Sequence, residues 1–248
     1  MNKFFLEIAD LTFFTLKTIR YIFKRPFEFY EFIRQSYIAG VKTLGLVSIT
    51  AFIMGLVLTL QTRPVLVKLG AESILPGMVF ISVLREIGPV IIALIFAGKV
   101  GSGIGAELSS MRVTEQIDAM EVSGTYPMKY LVATRVMAAT IMLPILVIYG
   151  DFLALMGSYI GITLNTSLSL KLFFRDAFSV ISFIDIIPAV IKTFFFGFAI
   201  GILSCYKGYY TNKGAEGVGS ATNSAVVLSS LSIFILDLIA VQITEIIS

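Results

Sequence analysis

The sequence predicts an all-α integral membrane protein with five transmembrane helices. Hydrophobic residues make up 57% of the 248 residues, and 20 glycines raise the apolar share to about 65%, against roughly 45–50% in soluble proteins. Charged residues account for only 14%, where soluble domains carry about 25%. The apolar residues are also concentrated in five long stretches, each close to the ~20 residues that cross a bilayer as a helix. A soluble domain of this size could not bury so much apolar surface.

The chain begins with an amphipathic region, residues 1–42, that we expect to lie in the membrane interface. It carries seven basic residues among apolar ones at helical spacing, a pattern typical of interfacial helices. Pro26 divides it into two helices, and Glu7 and Asp10 interrupt the apolar run that a signal peptide needs. We therefore predict an N-terminal interfacial unit ahead of a membrane domain, residues 43–248. A soluble helical cap is the alternative.

The five apolar stretches follow in order, and four of them contain charged residues. They cover residues 43–62 (between Lys42 and Arg63), 73–98, 136–161, 184–206 and 218–245, and the embedded charges are Arg85 and Glu86, then Asp151, Lys192 and Asp237. If the N-terminus is cytoplasmic, thirteen lysines and arginines fall in inside segments and four in outside loops. The excess of inside positive charge predicts this orientation. Five spans then place the C-terminus outside.

Composition also excludes several kinds of chemistry. The chain has no histidine and a single cysteine, Cys205, so a histidine relay, a zinc site and an intrachain disulfide are excluded. No phosphate-binding GxxxxGK[ST] motif occurs, because Gly98-Lys99 is followed by Val100. A net charge of +3 within apolar sequence gives no indication of nucleic-acid binding. We expect a transmembrane subunit that is not an enzyme and holds no metal or cofactor.

The charges inside the spans are the first candidate site. Each costs about 2.5–3.5 kcal/mol near the bilayer centre, so such residues usually face water, a cavity or one another. Arg85 and Glu86 are adjacent on a helix and point about 100° apart, so Glu86 needs a partner elsewhere. Lys192 and Asp237 fall in the outer halves of their spans, at similar depth. We expect one polar pocket that opens outward; a purely structural ion pair, or snorkelling to the interface, is the alternative.

Small residues recur every four positions along the second span. They are Ala93, Ala97, Gly101, Gly105 and Ser109. Small side chains on one face let another helix approach closely, which is how membrane helices pack. We predict a helix contact through this face, centred on Ala97, Gly101 and Gly105, that supports dimerisation. The pattern leaves open whether the partner helix belongs to the same chain or to a second protomer.

Residues 106–127 form an amphipathic segment that the loop charges place in the cytoplasm. Its acidic residues are Glu107, Glu115, Asp118 and Glu121. Acidic side chains are poor anchors for the negatively charged inner leaflet. We therefore expect a protein partner here, with a plain solvated helix and loop as the alternative.

Three stretches of sequence carry a resemblance to a known family. They are GVKTLGLVSITAFIMGLVLTLQ (40–61), LREIGPVIIALIFAGKVGSGIGAELSSMRVTEQIDAMEVSGTYPMKYLVATR (84–135) and GAEGVGSATNSAVV (214–227). Together they resemble the MlaE/YrbE family of ABC-transporter permeases, the membrane subunits of Mce-type lipid transporters. The resemblance covers nearly the whole chain, and the EQIDA segment is its most specific part.

The resemblance implies partners, a substrate and residue roles. The chain would be a homodimeric permease of the bacterial inner membrane, moving phospholipid between that membrane and a periplasmic hexamer of MCE-domain subunits. Two separate ATPase subunits would bind ATP and magnesium, accompanied in some relatives by a STAS-domain protein. The implied lipid-cavity residues are Arg85, Glu86, Lys192 and Asp237, and the implied ATPase-coupling residues are Glu107, Met111, Glu115, Gln116, Ile117 and Asp118. A secondary transporter that works without ATP is the alternative function.

Overall fold

A computed structural model describes residues 2–164, 168–211 and 214–247; Lys213, one of the basic residues counted as inside, lies outside these ranges. Over the described residues the chain is helical and forms no strand. Five helical segments are long and apolar enough to cross a membrane: Phe29–Lys68, Glu72–Val113, Met128–Thr163, Asp185–Tyr209 and Glu216–Ile246. The predicted fold class and the predicted number of spans are confirmed.

The N-terminal helix α1 (Asn2–Ile22) packs one face against the membrane bundle. Phe14, on that face, is 1% exposed, and its ring contacts the rings of Tyr206, Tyr209 and Tyr210 at centroid distances of 5.5–6.1 Å. The rest of the helix surface exposes large apolar side chains such as those of Leu6, Phe13 and Leu16. The exposed apolar side chains favour a position of α1 in the membrane interface. That position stays a prediction.

The helices α2 (Phe29–Ala39) and α3 (Val41–Lys68) meet at Gly40. Helix α3 packs along α8 (Thr134–Thr163), the central helix of the bundle. The approach is very close, because a Cβ atom added to Gly55 would lie 1.8 Å from the backbone oxygen of Ala154. Such contacts through glycine are the means by which membrane helices gain packing energy.

The second span is a helix interrupted by two π-helical turns. It consists of α4 (Leu75–Ser82), a π turn at Val83–Ile87, α5 (Gly88–Phe96), a second π turn at Ala97–Gly101, and α6 (Ser102–Val113). In the first π turn the N–H of Gly88 bonds to the oxygen of Val83, five residues back. Pro89 follows and has no N–H to donate, so the regular α ladder cannot continue through it. Arg85 and Glu86 lie within this turn.

The remaining elements complete the bundle. A left-handed residue, Glu115 (φ 60°), separates α6 from the short helix α7 (Gln116–Val122). A π turn at Met128–Ala133 leads into α8. A short peripheral helix, α9 (Leu170–Ser179), packs on α4, and α10 (Phe183–Tyr209) and α11 (Ala215–Ile247) close the bundle against α8 and α6.

The small-residue face of the second span packs inside the chain. A Cβ atom added to Gly101 would lie 2.9 Å from Ser204 Oγ on α10, and one added to Gly105 would lie 3.3 Å from Ala225 Cβ on α11. Ala97 is completely buried. The predicted close helix contact therefore exists, but its partners are α10 and α11 of the same protomer. Of the two alternatives left open by the sequence, the structure shows the partner helices within the same chain; dimerisation itself stays a prediction.

Candidate functional site

Three embedded charges from three spans meet in one cluster. The Lys192 ammonium donates to Glu86 Oε2 at 2.9 Å and to Asp237 Oδ1 at 2.8 Å. Lys192 is only 5% exposed, whereas the side chains of Glu86 and Asp237 are 45% and 18% exposed. The partner that Glu86 requires is thus Lys192, and Asp237 shares it. We call Glu86, Lys192 and Asp237 the charge cluster.

Arg85 points to a different partner. Its Nε lies 3.4 Å from Asp185 Oδ1, and its side chain is 45% exposed against 14% for Asp185. Asp185 is a residue that the sequence reasoning missed, because it lies at the edge of the fourth span. It also caps α10, since its side chain accepts the backbone N–H of Ser182 while the Ser182 side chain accepts from the backbone N–H of Asp185. The S-x-x-D pattern before an apolar run is a signal that could have found it.

The charge cluster borders two adjoining cavities of different character. The first has a volume of about 480 Å³ and contains polar and charged groups. The second, of about 410 Å³, is lined mainly by apolar side chains of α10 and α11. We call them the polar cavity and the apolar groove. Four residues line both: Pro188, Lys192, Ala240 and Thr244. Arg85, Glu86, Asp185 and Glu245 line only the polar cavity.

One further embedded carboxyl group lies behind the π turn of the second span. Asp151, on α8, is 6% exposed, and its Oδ1 has no hydrogen-bond partner among the described residues. A Cβ atom added to Gly88 would lie 2.0 Å from that oxygen, so the carboxyl group lies directly against the backbone next to Arg85 and Glu86. The sequence places Asp151 in the third span but cannot tell which neighbour its side chain faces.

Residues 106–127 form a small folded unit at the opposite end of the bundle. Glu107 accepts a salt bridge from Arg135 at 2.9 Å, and Asp118 is paired with Arg112. Glu115 and Gln116 are exposed, and Met111 is partly buried against the core. Ile117 corrects the expectation, because it is 0% exposed. Its side chain fixes α7 to the protein and cannot contact a partner in this conformation.

Comparisons with known proteins show the family to which the chain belongs. The family described as Permease MlaE matches residues 32–243. The chain is 42% identical over 233 residues to a probable ABC transporter permease protein of Rickettsia prowazekii, covering 94% of this chain and 90% of that protein. It is 33% identical over 238 residues to a probable ABC transporter permease protein of Synechocystis sp., with 95% and 89% covered.

A plant protein is similar over most of the same region. Protein TRIGALACTOSYLDIACYLGLYCEROL 1, chloroplastic, of Arabidopsis thaliana is 34% identical over 200 residues, which are 81% of this chain and 57% of the plant protein. A family match across most of the length, relatives well above 30% identity, and five apolar helices lead to one conclusion. The chain belongs to the MlaE permease family and is a multi-pass transmembrane permease subunit.

Proposed function

We propose that this permease carries phospholipid, and that it does so as the membrane subunit of an ATP-driven transporter. The relatives named as ABC transporter permeases support an ATPase partner. The Arabidopsis relative bears the name of a galactosylated diacylglycerol, which supports a lipid as the cargo. Five long apolar helices support a site that a lipid reaches from within the bilayer.

The observation that carries the proposal is the position of Lys192. Lys192 lines both the polar cavity and the apolar groove, and its ammonium group is the charged end of a side chain shared by the two. A phospholipid likewise has a polar part and an apolar part, because its charged head group is joined to apolar chains. The groove offers Ile191, Phe195 and Ile239 to an acyl chain, which would exchange contacts with bilayer hydrocarbon for van der Waals contacts with these side chains.

A phosphate group has two sources of hydrogen bonds in the polar cavity. Arg85 has five N–H donors in a planar fork that suits phosphate oxygens, and only its Nε is engaged with Asp185 in a recorded salt bridge. Lys192 donates to two carboxylates and has a third N–H, but a phosphate beside both carboxylates would be repelled by their negative charge, so we expect it to displace one of them. Glu86 is the easier to displace, because its side chain is more exposed than that of Asp237.

ATP hydrolysis would act on this site through the opposite end of the bundle. We propose that the exposed residues Glu115 and Gln116, with Asp118 beside them, contact an ATPase subunit, while buried Ile117 transmits force into the core. The second span runs from this segment to the charge cluster without leaving the bundle. Its two π turns are places where the helix can change register, and such turns are frequent at functional sites.

The complete transporter that we propose contains two copies of this chain and two ATPase subunits. A periplasmic MCE-domain hexamer would receive or deliver the lipid at the outer face of a bacterial inner membrane, and a STAS-domain protein would accompany the ATPase. The orientation predicted from the loop charges supports this arrangement, since it places the polar cavity toward the outside and α7 toward the cytoplasm.

Reconstitution tests the proposal directly. The chain is inserted into vesicles with its ATPase, and transfer of a fluorescent phospholipid to an acceptor is followed with ATP and with a non-hydrolysable analogue. We expect transfer only with ATP and only with the ATPase present. Equal transfer by the chain alone would contradict the proposal and favour a secondary transporter. ATP turnover that no phospholipid stimulates would contradict the lipid as cargo.

A further inference from the structure

A second polar cavity lies near the other end of the helices that carry the charge cluster. Its volume is about 180 Å³, and it is lined by residues of α2, α3, the second π turn, α6 and α8. Lys99, which lines this cavity, is thirteen positions after Glu86 along the chain. At 1.5 Å per residue the two are about 20 Å apart along the second span. The cavity is therefore separate from the proposed transport site.

Positive charge predominates in this second cavity. Its charged lining residues are Lys42, Lys99 and Arg135, against a single carboxylate, Glu107. Lys99 donates to the backbone oxygen of Lys42, and no salt bridge to either lysine is recorded among the described residues. Gln35 also lines the cavity but donates to buried Glu31 at 2.7 Å; Glu31 is paired with Arg34 at 3.3 Å and does not line the cavity.

Two buried donors in the lining lack a partner. Arg135 is 2% exposed; one terminal nitrogen donates to the oxygen of Leu131 and the other pairs with Glu107, both at 2.9 Å. Its Nε has no hydrogen-bond partner within the described ranges, and neither does the hydroxyl of Thr43, which is 0% exposed. A buried donor that is left unpaired costs about 1–3 kcal/mol, and more when it is charged.

We propose that this cavity binds a phosphate oxyanion. An anion there would accept hydrogen bonds from Arg135 and Thr43 and would neutralise the excess charge of the two lysines, and guanidinium groups are well suited to phosphate. The volume is about six times the ~30 Å³ that one water molecule occupies in the liquid. It therefore accommodates a phosphate and part of a head group but not acyl chains.

The phosphate can come from a phospholipid head group or from free phosphate. Basic pockets between transmembrane helices on the cytoplasmic side bind anionic head groups, and the loop charges place this end of the bundle on that side. On this topology an anionic lipid of the inner leaflet would reach the cavity with its chains outside, along α2 and α3. The experiment separates this source from free phosphate.

The test measures ligand binding to the full-length chain in a non-ionic detergent after delipidation, by native mass spectrometry. The ligands are phosphatidylglycerol, diacylglycerol with the same chains, and inorganic phosphate. Lys42→Gln/Lys99→Gln removes two exposed charges from the cavity. Lys17→Gln/Arg20→Gln removes two exposed charges from α1 and serves as the matched control. Gly103→Leu places a side chain in the cavity lining, where an added Cβ meets no atom within 4 Å.

Besides any phosphatidylglycerol held at the proposed transport site, which these variants leave intact, we expect the parent and the α1 control to bind one further phosphatidylglycerol per chain at this cavity. The Lys42/Lys99 variant and Gly103→Leu should bind it roughly tenfold more weakly or worse, since each charge-assisted hydrogen bond is worth about 1.5–3 kcal/mol. Inorganic phosphate should compete. Binding of phosphate with no binding of phosphatidylglycerol would support the oxyanion site with free phosphate as its source. Equal binding of diacylglycerol, or unchanged affinity in both cavity variants, would overturn the proposal.

Discussion

Replacing Lys192 by methionine should destabilise the protein mainly through the loss of a counter-charge in the charge cluster, and only slightly through a change in packing. Methionine keeps the length and apolar stem of lysine but removes the ammonium group that lies 2.9 Å from Glu86 and 2.8 Å from Asp237. Leaving one partner of a buried ion pair without its counter-charge costs about 3–5 kcal/mol. Asp237 is 18% exposed and bears most of this cost, while Glu86 at 45% exposure remains partly solvated. We therefore expect a loss of about 2–4 kcal/mol in the free energy of unfolding.

A second variant separates stability from function. In Glu86→Gln/Lys192→Met/Asp237→Asn all three members of the cluster are neutral, so no uncompensated charge remains. Replacing all partners of a buried ionic group is often neutral for stability, and we expect this triple variant to recover most of the unfolding free energy. We also expect it to remain inactive in ATP-dependent lipid transfer, because Lys192 is no longer there to hold the head group.

The assays are thermal or chemical unfolding in a fixed detergent and lipid transfer in vesicles with the ATPase. The variant Lys68→Met removes an exposed lysine on α3 and is the control for loss of one positive charge. A Lys192→Met protein as stable as the parent would refute the reasoning on buried charge. A triple variant that transfers lipid at the parental rate would show that the cluster is only structural.

Three further predictions follow from particular contacts. Asp151→Asn should preserve lipid transfer while Asp151→Leu abolishes it, because asparagine keeps the shape and a polar oxygen against Gly88 whereas leucine supplies no polar group there; an inactive, folded Asp151→Asn protein would contradict this. Glu115→Lys/Asp118→Lys should reduce co-purification of the ATPase at least about tenfold, as like charges at an interface cost several kcal/mol, and undiminished co-purification would refute α7 as the docking helix. Gly105→Leu should lower stability by about 1–3 kcal/mol through overpacking, whereas Gly98→Leu, where an added Cβ meets no atom within 4 Å, should change thermal stability little; equal effects would refute the packing role.

The charge cluster could be anticipated because burying charge in hydrocarbon is so unfavourable. Glu86, Lys192 and Asp237 each lie in an apolar span. Because an isolated charge in the bilayer is energetically costly, they are expected to meet in one polar site. The same argument applies to Asp151, but hydrophobic periodicity and composition do not tell which neighbouring helix each face of α8 contacts. Its position against Gly88 depends on how α8 packs on the π turn, which only the tertiary structure determines.

The small-residue face illustrates the same limit for packing. The four-residue spacing predicts a close helix contact, but any helix with a matching surface could supply the other side. The structure selects α10 and α11, through Ser204 and Ala225. The family resemblance, and not the spacing of the residues, implied Ile117 as an ATPase-coupling residue. A short helix with one apolar face uses that face to attach itself to its own protein, which leaves the polar face for a partner.

The central claim is that the charge cluster holds the head group of the transported phospholipid. The most direct measurement places a photo-crosslinking residue at Thr244, which lines both the polar cavity and the apolar groove, in the active complex. A second crosslinker at Ile145, an exposed residue of α8, reports on bulk membrane lipid. We predict phospholipid adducts at both positions in the parent, and loss of the Thr244 adduct alone in the Glu86→Gln/Lys192→Met/Asp237→Asn variant. An unchanged ratio of the two adducts would contradict the account.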